Sequence, residues 1–313
     1  MKILKVRLSQ IRAMKNLSFL LTAGAVIFFL LNFAAKPVEN QINNQATVSA
    51  STNPFEELKL SARAVYVFDL SAGRVLFRSH SEAQLPLASL AKLLTSLIAL
   101  DLADDPRERV YISEEALIPE GENGLIAGDR WEISELAAFS LLASSNDAAE
   151  ALALFAQTES GLEFTRLAQD FVGQLNLRQT YLLNPTGLDV SESLAGAYGS
   201  AEDVAAVLAY AFEKYPSVLS QTALAETVFR SLSGREYEVR NINQEAAKWP
   251  LVLASKTGFT DLAGGNLALI FEAGPARPII SVVLGGSAEN RFTDTKLIME
   301  TVLNLLSQEN ASL

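Results

Sequence analysis

Leu85-Pro-Leu-Ala-Ser-Leu-Ala-Lys-Leu-Leu-Thr95 is the stretch around which the chain is organised. Pro86 suits the first turn of a helix, and the apolar residues that follow, up to Leu100, predict a helix buried on nearly every side. Ser89 and Lys92 stand three residues apart, so they project from one face and the amine can reach the hydroxyl. Burial favours the neutral amine, which can act as a base, and the helix N-terminus favours a developing oxyanion. The alternative interpretation is a capping serine beside a lysine whose amine reaches solvent.

Composition limits the chemistry that this chain can perform. It has 313 residues, of which 49% are hydrophobic, which suits one large domain or two lobes that share a core. It has no cysteine, which excludes disulfides and thiolate sites, and a single histidine, His80, in a polar run typical of an exposed loop. One histidine cannot supply a zinc site, so lysine is the leading candidate for the base of a serine enzyme.

Charge is distributed unevenly along the chain. The formal net charge is −11, but residues 1–38 contain six basic residues and no acidic one. Residues 39–313 therefore hold 19 basic against 36 acidic residues, a net charge of −17. Such an acidic body is a poor candidate for binding nucleic acid or an anionic membrane surface.

An apolar run of 19 residues, 17–35, follows the basic segment 1–16. As a helix it would be about 28 Å long, close to the roughly 30 Å hydrocarbon core of a bilayer. The basic flank predicts a cytoplasmic tail at 1–16 and a single-pass signal anchor at 17–35 in a bacterial cell membrane, with the rest of the chain on the extracytoplasmic side. A cleavable signal peptide is the alternative, and Met14 is an alternative start. Residues 36–60, rich in Asn, Gln, Ser and Thr, are predicted to form a flexible linker.

The pattern changes after the linker. Residues 64–70 and 74–77 are β-rich and are separated by a Ser-Ala-Gly turn, which predicts a hairpin. From Leu85 to about Phe212 the pattern is mostly helical, and Ser200, with an acidic residue three positions on, predicts a helix start. Strands at both ends around a helical middle predict an α+β fold, an antiparallel sheet lobe with an inserted helical lobe. The later predictions are strands at 251–257, 266–271 and 279–284 and a closing helix at 293–306.

Two further motifs carry polar side chains suited to a serine enzyme. Ser144 and Asn146 form an S-x-N motif, which offers a hydroxyl proton carrier and an amide able to bind a substrate backbone. Lys256-Thr-Gly258 ends a predicted strand, where glycine would let a substrate approach the backbone and the lysine and threonine could hold a carboxylate. Taken alone, the first motif is more typical of a helix boundary, and the second is common at the end of an edge strand.

The order S-x-x-K, S-x-N, K-T-G resembles the motif set of the penicillin-recognising serine enzymes. The chain resembles in particular the D-alanyl-D-alanine carboxypeptidases, which are low-molecular-mass penicillin-binding proteins of serine peptidase family S11. The resemblance implies a penicillin-binding-protein/β-lactamase-like transpeptidase fold for residues 61–313, with the helical lobe at about 87–224, and it implies no metal and no organic cofactor. Further segments resemble that family: Asn184-Pro-Thr-Gly-Leu188, Asn241-Ile-Asn243 and Lys256-Thr-Gly-Phe-Thr-Asp-Leu-Ala-Gly264.

The resemblance also implies roles for the motif residues. Ser89 would attack the carbonyl between the two terminal D-alanines of a peptidoglycan stem peptide, with Lys92 taking its proton. Ser144 would relay the proton to the leaving amine, and Asn146 would orient the acyl peptide. Lys256 would keep Lys92 neutral by like-charge repulsion.

The last motif is implied to bind the end of the substrate. Lys256 and Thr257 would hold the terminal carboxylate, with Gly258 beside them. The backbone N–H groups of Ser89 and Phe259 would form the oxyanion hole. β-Lactams would acylate Ser89 as substrate mimics.

The chain departs from the family pattern in two respects. The second motif usually has glycine in its middle, where this chain has Ser145. Many carboxypeptidases of the family have a second β-rich domain and a C-terminal amphipathic anchor, whereas this chain ends after its closing helix, so the N-terminal apolar segment is expected to be the anchor. Members without the second domain include D,D-endopeptidases, which cut cross-links between stem peptides and are the first alternative function.

Two more functions are compatible with the three motifs. A serine β-lactamase shares them, but class A enzymes need a Glu-activated water, and Glu159 and Glu163 are the glutamates in the corresponding part of this chain. A non-enzymatic function would be that of a membrane-tethered domain that senses peptidoglycan or β-lactams without turnover. The intact serine and lysines of the motifs argue against it.

Overall fold

The structure is a computed structural model that describes residues 54–55, 57–121 and 124–311. The predicted tail and signal anchor and most of the predicted linker lie outside the described residues. In the described ranges, no helix is both long enough and apolar enough to span a bilayer. All the elements given below belong to residues 52–313, the second of the two compact units of the chain.

An antiparallel sheet is built from both ends of the described chain. The three strands from the C-terminal part of the chain form one side of this sheet, and the two strands from the N-terminal part form the other side. The predicted hairpin and the three later predicted strands are confirmed. The five strands, in sheet order, are β10 (Val252–Thr260), β11 (Gly264–Glu272), β12 (Pro278–Gly286), β1 (Ala64–Asp69) and β2 (Arg74–Ser79). Strand β10 therefore lies at an edge of this sheet.

Both faces of the sheet are covered, and the side chains alternate between them. Val65 and Leu267 lie on the face that packs against the closing helix α7 (Asn290–Ala311). Tyr66 and Ala268, each one residue further along its strand, belong to the core shared with the other helices. The predicted closing helix is thus confirmed, and it begins three residues earlier than predicted.

Six helices fill the middle of the part of the chain that the structure describes. The first of them is central, because it packs against the second, third, fourth and fifth, and its residues 91–100 are all buried. Ser200 caps the fifth as predicted, since its hydroxyl accepts the backbone N–H of Asp203. The six are α1 (Ala91–Leu102), α2 (Ile133–Leu142), α3 (Asn146–Ser160), α4 (Phe164–Gln174), α5 (Ala201–Lys214) and α6 (Pro216–Ser220).

Short strands and 3₁₀ turns connect these helices. The short strands form small sheets, and the mostly helical pattern of residues 85–212 did not predict the strands that lie within that region. The strands are β3 (Leu85–Pro86), β4 (Arg109–Tyr111), β5 (Arg130–Glu132), β6 (Tyr181–Leu182), β7 (Ala197–Gly199), β8 (Glu226–Arg230) and β9 (Glu236–Arg240). The 3₁₀ helices are Ala88–Leu90, Glu115–Leu117, Gln221–Ala223 and Ala246–Lys248.

The prediction that Pro86 begins the central helix is wrong. Pro86 lies in β3, which pairs with β7, and the N–H of Leu87 donates to the carbonyl of Ala197. Ala88 then has φ of 49°, in the left-handed region, so an α-helix cannot run from Pro86 through this residue into α1. Ser89 therefore lies in a 3₁₀ turn ahead of α1.

Candidate active site

The turn that holds Ser89 is packed closely from two sides. A Cβ on Gly187 would lie 2.0 Å from the carbonyl oxygen of Ala88. A Cβ on Gly258 would lie 2.7 Å from the carbonyl oxygen of Leu87 and 3.2 Å from the backbone nitrogen of Ser89. Only glycine permits approaches this close. Gly258 therefore makes room for the backbone of the turn, and its predicted role in letting a substrate approach stays a prediction.

Lys92 is placed to act on Ser89. Its Nζ lies 2.8 Å from the Oγ of Ser89 and donates to the backbone carbonyl of Thr186 at 2.9 Å. The side chain is fully buried, and burial lowers the pKa of the Lys92 amine from its usual 10.5 to about 7. Near neutral pH the amine is therefore often uncharged, and its lone pair can accept the hydroxyl proton of Ser89.

Ser144 and Asn146 lie at the junction of α2 and α3. Ser144 has φ of 55°, and its Oγ accepts a hydrogen bond of 2.8 Å from the Nζ of Lys256. Asn146 is the first residue of α3, and its side-chain amide donates to the backbone carbonyl of Glu120. The structure thus brings Ser144 to the K-T-G lysine, and it uses one donor of Asn146 to hold the loop that contains Glu120.

Ser145, the middle residue of this motif, is buried and caps α3. Its hydroxyl accepts the N–H of Ala148 at 3.1 Å. We expect Ser145→Ala to lower the free energy of unfolding by about 1 kcal/mol, because it leaves that N–H without its partner. Ser145→Gly should cost only a few tenths of a kcal/mol. Urea unfolding of both variants checks this, and an unchanged free energy of unfolding in Ser145→Ala would show that the hydroxyl does not stabilise the helix.

Lys256 is the second buried lysine of the site. Its Nζ also donates to the backbone carbonyl of Thr257 at 2.8 Å. Burial, followed by the charges of Lys92 and Arg291, lowers the pKa of the Lys256 amine. The predicted repulsion between the lysines therefore lowers the pKa of Lys256, whereas burial lowers the pKa of Lys92.

The edge of β10 carries the predicted oxyanion donor. The backbone N–H of Ser255 points outward from this edge, since it donates to the hydroxyl of Thr222 at 3.0 Å. Successive N–H groups of a strand point to opposite sides, so those of Thr257 and Phe259 share the edge with that of Ser255. The turn that holds Ser89 approaches β10 closely. The N–H of Phe259 is thus directed outward from the open edge of β10, and its role as an oxyanion donor stays a prediction.

Two asparagines fix the start of this edge. The amide of Asn241 donates to the carbonyls of Thr222 and Leu224, both at 2.8 Å. The amide of Asn243 donates to the hydroxyl of Ser255 at 2.8 Å. Because Ser255 immediately precedes the K-T-G motif, this network sets where the motif lies.

Two further contacts at the site were missed by the sequence analysis. Arg291 of α7 donates from Nη1 to the carbonyl of Gly258 at 2.8 Å, and burial lowers the pKa of its guanidinium. No local pattern marks Arg291, since only the packing of α7 on the sheet brings it there. Thr186 belongs to the segment 184–188 that the sequence singled out, but it acts through a carbonyl, which residue type does not reveal.

The two glutamates considered for a β-lactamase and the single histidine lie away from the motifs. Asn146 and Glu159 are thirteen residues apart in α3, which is about 20 Å along a helix, and Glu163 is an exposed residue beyond its end. His80 is exposed after β2, as predicted. In the described ranges, no three His, Cys, Asp or Glu side chains are grouped so that they could hold a metal ion.

Comparison with known sequences agrees with this geometry. A family model for peptidase S11, described as D-alanyl-D-alanine carboxypeptidase, matches residues 47–288. The chain is 29% identical over 249 residues to D-alanyl-D-alanine carboxypeptidase DacF of Bacillus subtilis, which covers 77% of this chain and 62% of that protein. It is also 29% identical over 234 residues to a D-alanyl-D-alanine endopeptidase of Pseudomonas aeruginosa, which covers 71% of this chain and 72% of that protein.

A solved structure is also similar to this chain. Penicillin-binding protein D2 from Listeria monocytogenes, in its ampicillin-bound form, superposes with a TM-score of 0.64 at 26% identity, over 79% of this chain and 98% of that chain. The matched region spans about three fifths of the first curated relatives, 62% and 60% of their lengths. Since the family model matches well over half of the residues, the chain belongs to peptidase family S11, the D-alanyl-D-alanine carboxypeptidase family.

Proposed function

We propose that this chain is a serine-type D-Ala-D-Ala carboxypeptidase that removes the terminal D-alanine from peptidoglycan stem peptides. The observation that carries the proposal is the buried amine of Lys92, 2.8 Å from the Oγ of Ser89 and with its pKa lowered to about 7. An amine with that pKa can take the hydroxyl proton at physiological pH as Ser89 attacks a carbonyl carbon. The backbone N–H groups of Ser89 and Phe259 stabilise the oxyanion that forms.

The charge of the site supports a substrate that ends in a carboxylate. Arg291 places a cationic group, and Lys256 an N–H donor, at the K-T-G end of β10, and the hydroxyl of Thr257 belongs to the same strand. A free peptide carboxylate would complement these groups. Ser144, which accepts a hydrogen bond from Lys256, relays a proton to the leaving D-alanine amine. Water then hydrolyses the acyl-enzyme.

The same groups would accept β-lactams. These compounds combine a reactive carbonyl with a nearby carboxylate, so Ser89 is acylated and the carboxylate meets the K-T-G motif. A Ser–Lys site that lacks a glutamate-activated water favours a long-lived acyl-enzyme. The remote positions of Glu159 and Glu163 therefore argue against a class A β-lactamase.

The proposal includes a location. The basic segment 1–16 and the apolar run 17–35 support a single-pass anchor in a bacterial cell membrane, with the catalytic domain on the extracytoplasmic side. Peptidoglycan stem peptides are then within reach of the domain. This part of the proposal rests on the sequence alone.

D,D-endopeptidase activity is the second candidate. It is supported by the relative from Pseudomonas aeruginosa, which is named an endopeptidase and of which the chain covers 72%, against 62% of the carboxypeptidase from Bacillus subtilis. Cutting a cross-link requires the same attack by Ser89, with a longer leaving group in place of D-alanine.

The full-length protein in detergent is expected to release free D-alanine from a pentapeptide that ends in D-Ala-D-Ala. Ser89→Ala should lower this rate at least about 10³-fold, because no acyl-enzyme can form. Ser217→Ala, at an exposed serine, is the matched control and should keep the wild-type rate. Mass spectrometry follows D-alanine and the cleavage of a cross-linked disaccharide–peptide dimer. Dimer cleavage without D-alanine release would replace the carboxypeptidase by the endopeptidase, and full activity in Ser89→Ala would refute both.

A further inference from the structure

The loop after β6 accepts a hydrogen bond from the amine of Lys92 through the Thr186 carbonyl, and hydrogen bonds within the loop fix its shape. The Oδ1 of Asn184 accepts the N–H of Gly187 at 2.8 Å and the hydroxyl of Thr186 at 3.1 Å. Its amide donates to the carbonyl of Leu188 at 2.9 Å. Residues 184–188 therefore form one unit, and the position of that unit decides where the amine lies.

The second unit is the end of β10. The N–H of Phe259 points outward from its edge, and the turn into β11 follows at once. That turn is closed by Thr260, whose Oγ1 accepts the N–H of Ala263 at 3.2 Å. A displacement of this turn would move the oxyanion donor with it, because Phe259 and Thr260 are adjacent.

Asp189 connects the two units. It follows the 184–188 segment directly, and its Oδ1 accepts the hydroxyl of Thr260 at 3.0 Å. Its Oδ2 accepts the backbone N–H of Leu262 at 3.3 Å. We propose that Asp189 is a positioning residue for the reaction proposed above, on which this inference rests: it clamps the loop that holds the base to the strand that carries the oxyanion donor.

The clamp acts on Ser89 from both sides. Gly187 of the loop touches the carbonyl of Ala88, and Gly258 of the strand approaches the backbone nitrogen of Ser89. If the loop and the strand move apart, the distance from the hydroxyl to the amine and the distance from the substrate oxygen to the N–H of Phe259 both lengthen. A misplacement of about 1 Å can cost about 10²-fold in rate.

Acylation of Ser89 by a fluorescent penicillin tests the clamp in the full-length protein in detergent. Asp189→Ala is expected to lower the second-order acylation rate constant by about 10- to 100-fold. Asp189→Asn keeps one acceptor oxygen and should lie between Asp189→Ala and the wild type. Thr260→Val removes the hydroxyl partner, and the losses in the double variant should be less than additive, because both changes break the link between Asp189 and Thr260.

A matched control separates positioning from general stability. Asp129 makes a similar clamp elsewhere, since its carboxylate accepts the hydroxyls of Ser231 at 3.0 Å and Tyr237 at 2.7 Å and so holds the β8–β9 hairpin. Asp129→Ala is expected to lower the unfolding midpoint at least as much as Asp189→Ala, with acylation unchanged. If acylation slowed equally in both variants, Asp189 would act only through the stability of the fold, and the proposal would be overturned.

Release of D-alanine from the pentapeptide is measured in parallel. Wild-type protein that reacts with penicillin but releases no D-alanine would refute the carboxypeptidase activity, while the acylation rates would still decide the role of Asp189. We expect acylation and D-alanine release to slow together in Asp189→Ala and to recover in part in Asp189→Asn. An unchanged acylation rate in Asp189→Ala, or additive losses in the double variant, would overturn the clamp.

Discussion

Lys92→Met is expected to slow D-alanine release by about 10²- to 10⁴-fold, the usual contribution of a general base, without unfolding the protein. Methionine fills the volume of the buried side chain but has no lone pair that can take the Ser89 proton. Removing a buried amine stabilises the core, whereas the Thr186 carbonyl loses a donor, so the two effects on the free energy of unfolding oppose each other. Rates with the pentapeptide and urea unfolding give both quantities.

The control for this variant is Lys248→Met. Lys248 is exposed and pairs with Glu245 across one turn, so its loss should change neither quantity measurably. A Lys92→Met variant that kept more than about a tenth of the wild-type rate would show that another group takes the proton, since a general base normally contributes at least about 10²-fold.

The pKa of the Lys92 amine predicts how acylation and stability depend on pH. With a native pKa of about 7, Lys92 is protonated and inactive as a base in acid, so wild-type acylation should fall about tenfold per pH unit below that value and level off above it. The ordinary pKa is 10.5, so between about pH 7 and 10.5 the unfolded chain binds more protons than the native one. The contribution of Lys92 to stability therefore rises with pH across that window and is constant below it. The lowered pKa of Lys256 acts in the same direction.

Gly258→Ala is expected to slow acylation by about 10²-fold and to lower the free energy of unfolding by about 1–3 kcal/mol. The new methyl group would lie 2.7 Å from the carbonyl oxygen of Leu87, a backbone atom, so β10 or the turn that holds Ser89 must move. Gly173→Ala in α4 is the matched control, because nothing lies within 4 Å of its Cβ position and alanine favours the helix. It should be slightly more stable and fully active. A Gly258→Ala variant with the wild-type acylation rate would show that the close packing is not needed.

The pairing of Ser89 with Lys92 was predicted from their spacing although the helix was predicted to begin too early. The reason is geometric. Residues three apart lie on one side of a 3₁₀ turn as well as of an α-helix, so the error at Pro86 did not separate them. The hairpin, the later strands and the cap at Ser200 were likewise set by local patterns of alternation and capping, which do not depend on the rest of the fold.

The remaining parts of the site depend on tertiary packing. Gly258 was singled out as a residue that lets a substrate approach, but the sequence did not show that the turn holding Ser89 fills the space at its Cβ position. Arg291 and Asp189 reach the site from a helix and a loop far away in the chain, so no local spacing marks them. Ser145 was regarded only as a small departure from glycine, whereas its hydroxyl is a helix cap.

The edge of β10 has a further consequence for solubility. A long open strand edge invites pairing with strands of other molecules and leads to aggregation. Here the hydroxyl of Thr222 accepts the N–H of Ser255, so the accessible stretch of this edge is only the few residues from 256 to the end of β10. Such a stretch can align one short extended peptide but offers too few hydrogen bonds for a stable intermolecular sheet. The contact that fixes the start of the K-T-G motif therefore also protects the protein against self-association, and variants that lose the hydroxyl of Thr222 should aggregate more readily.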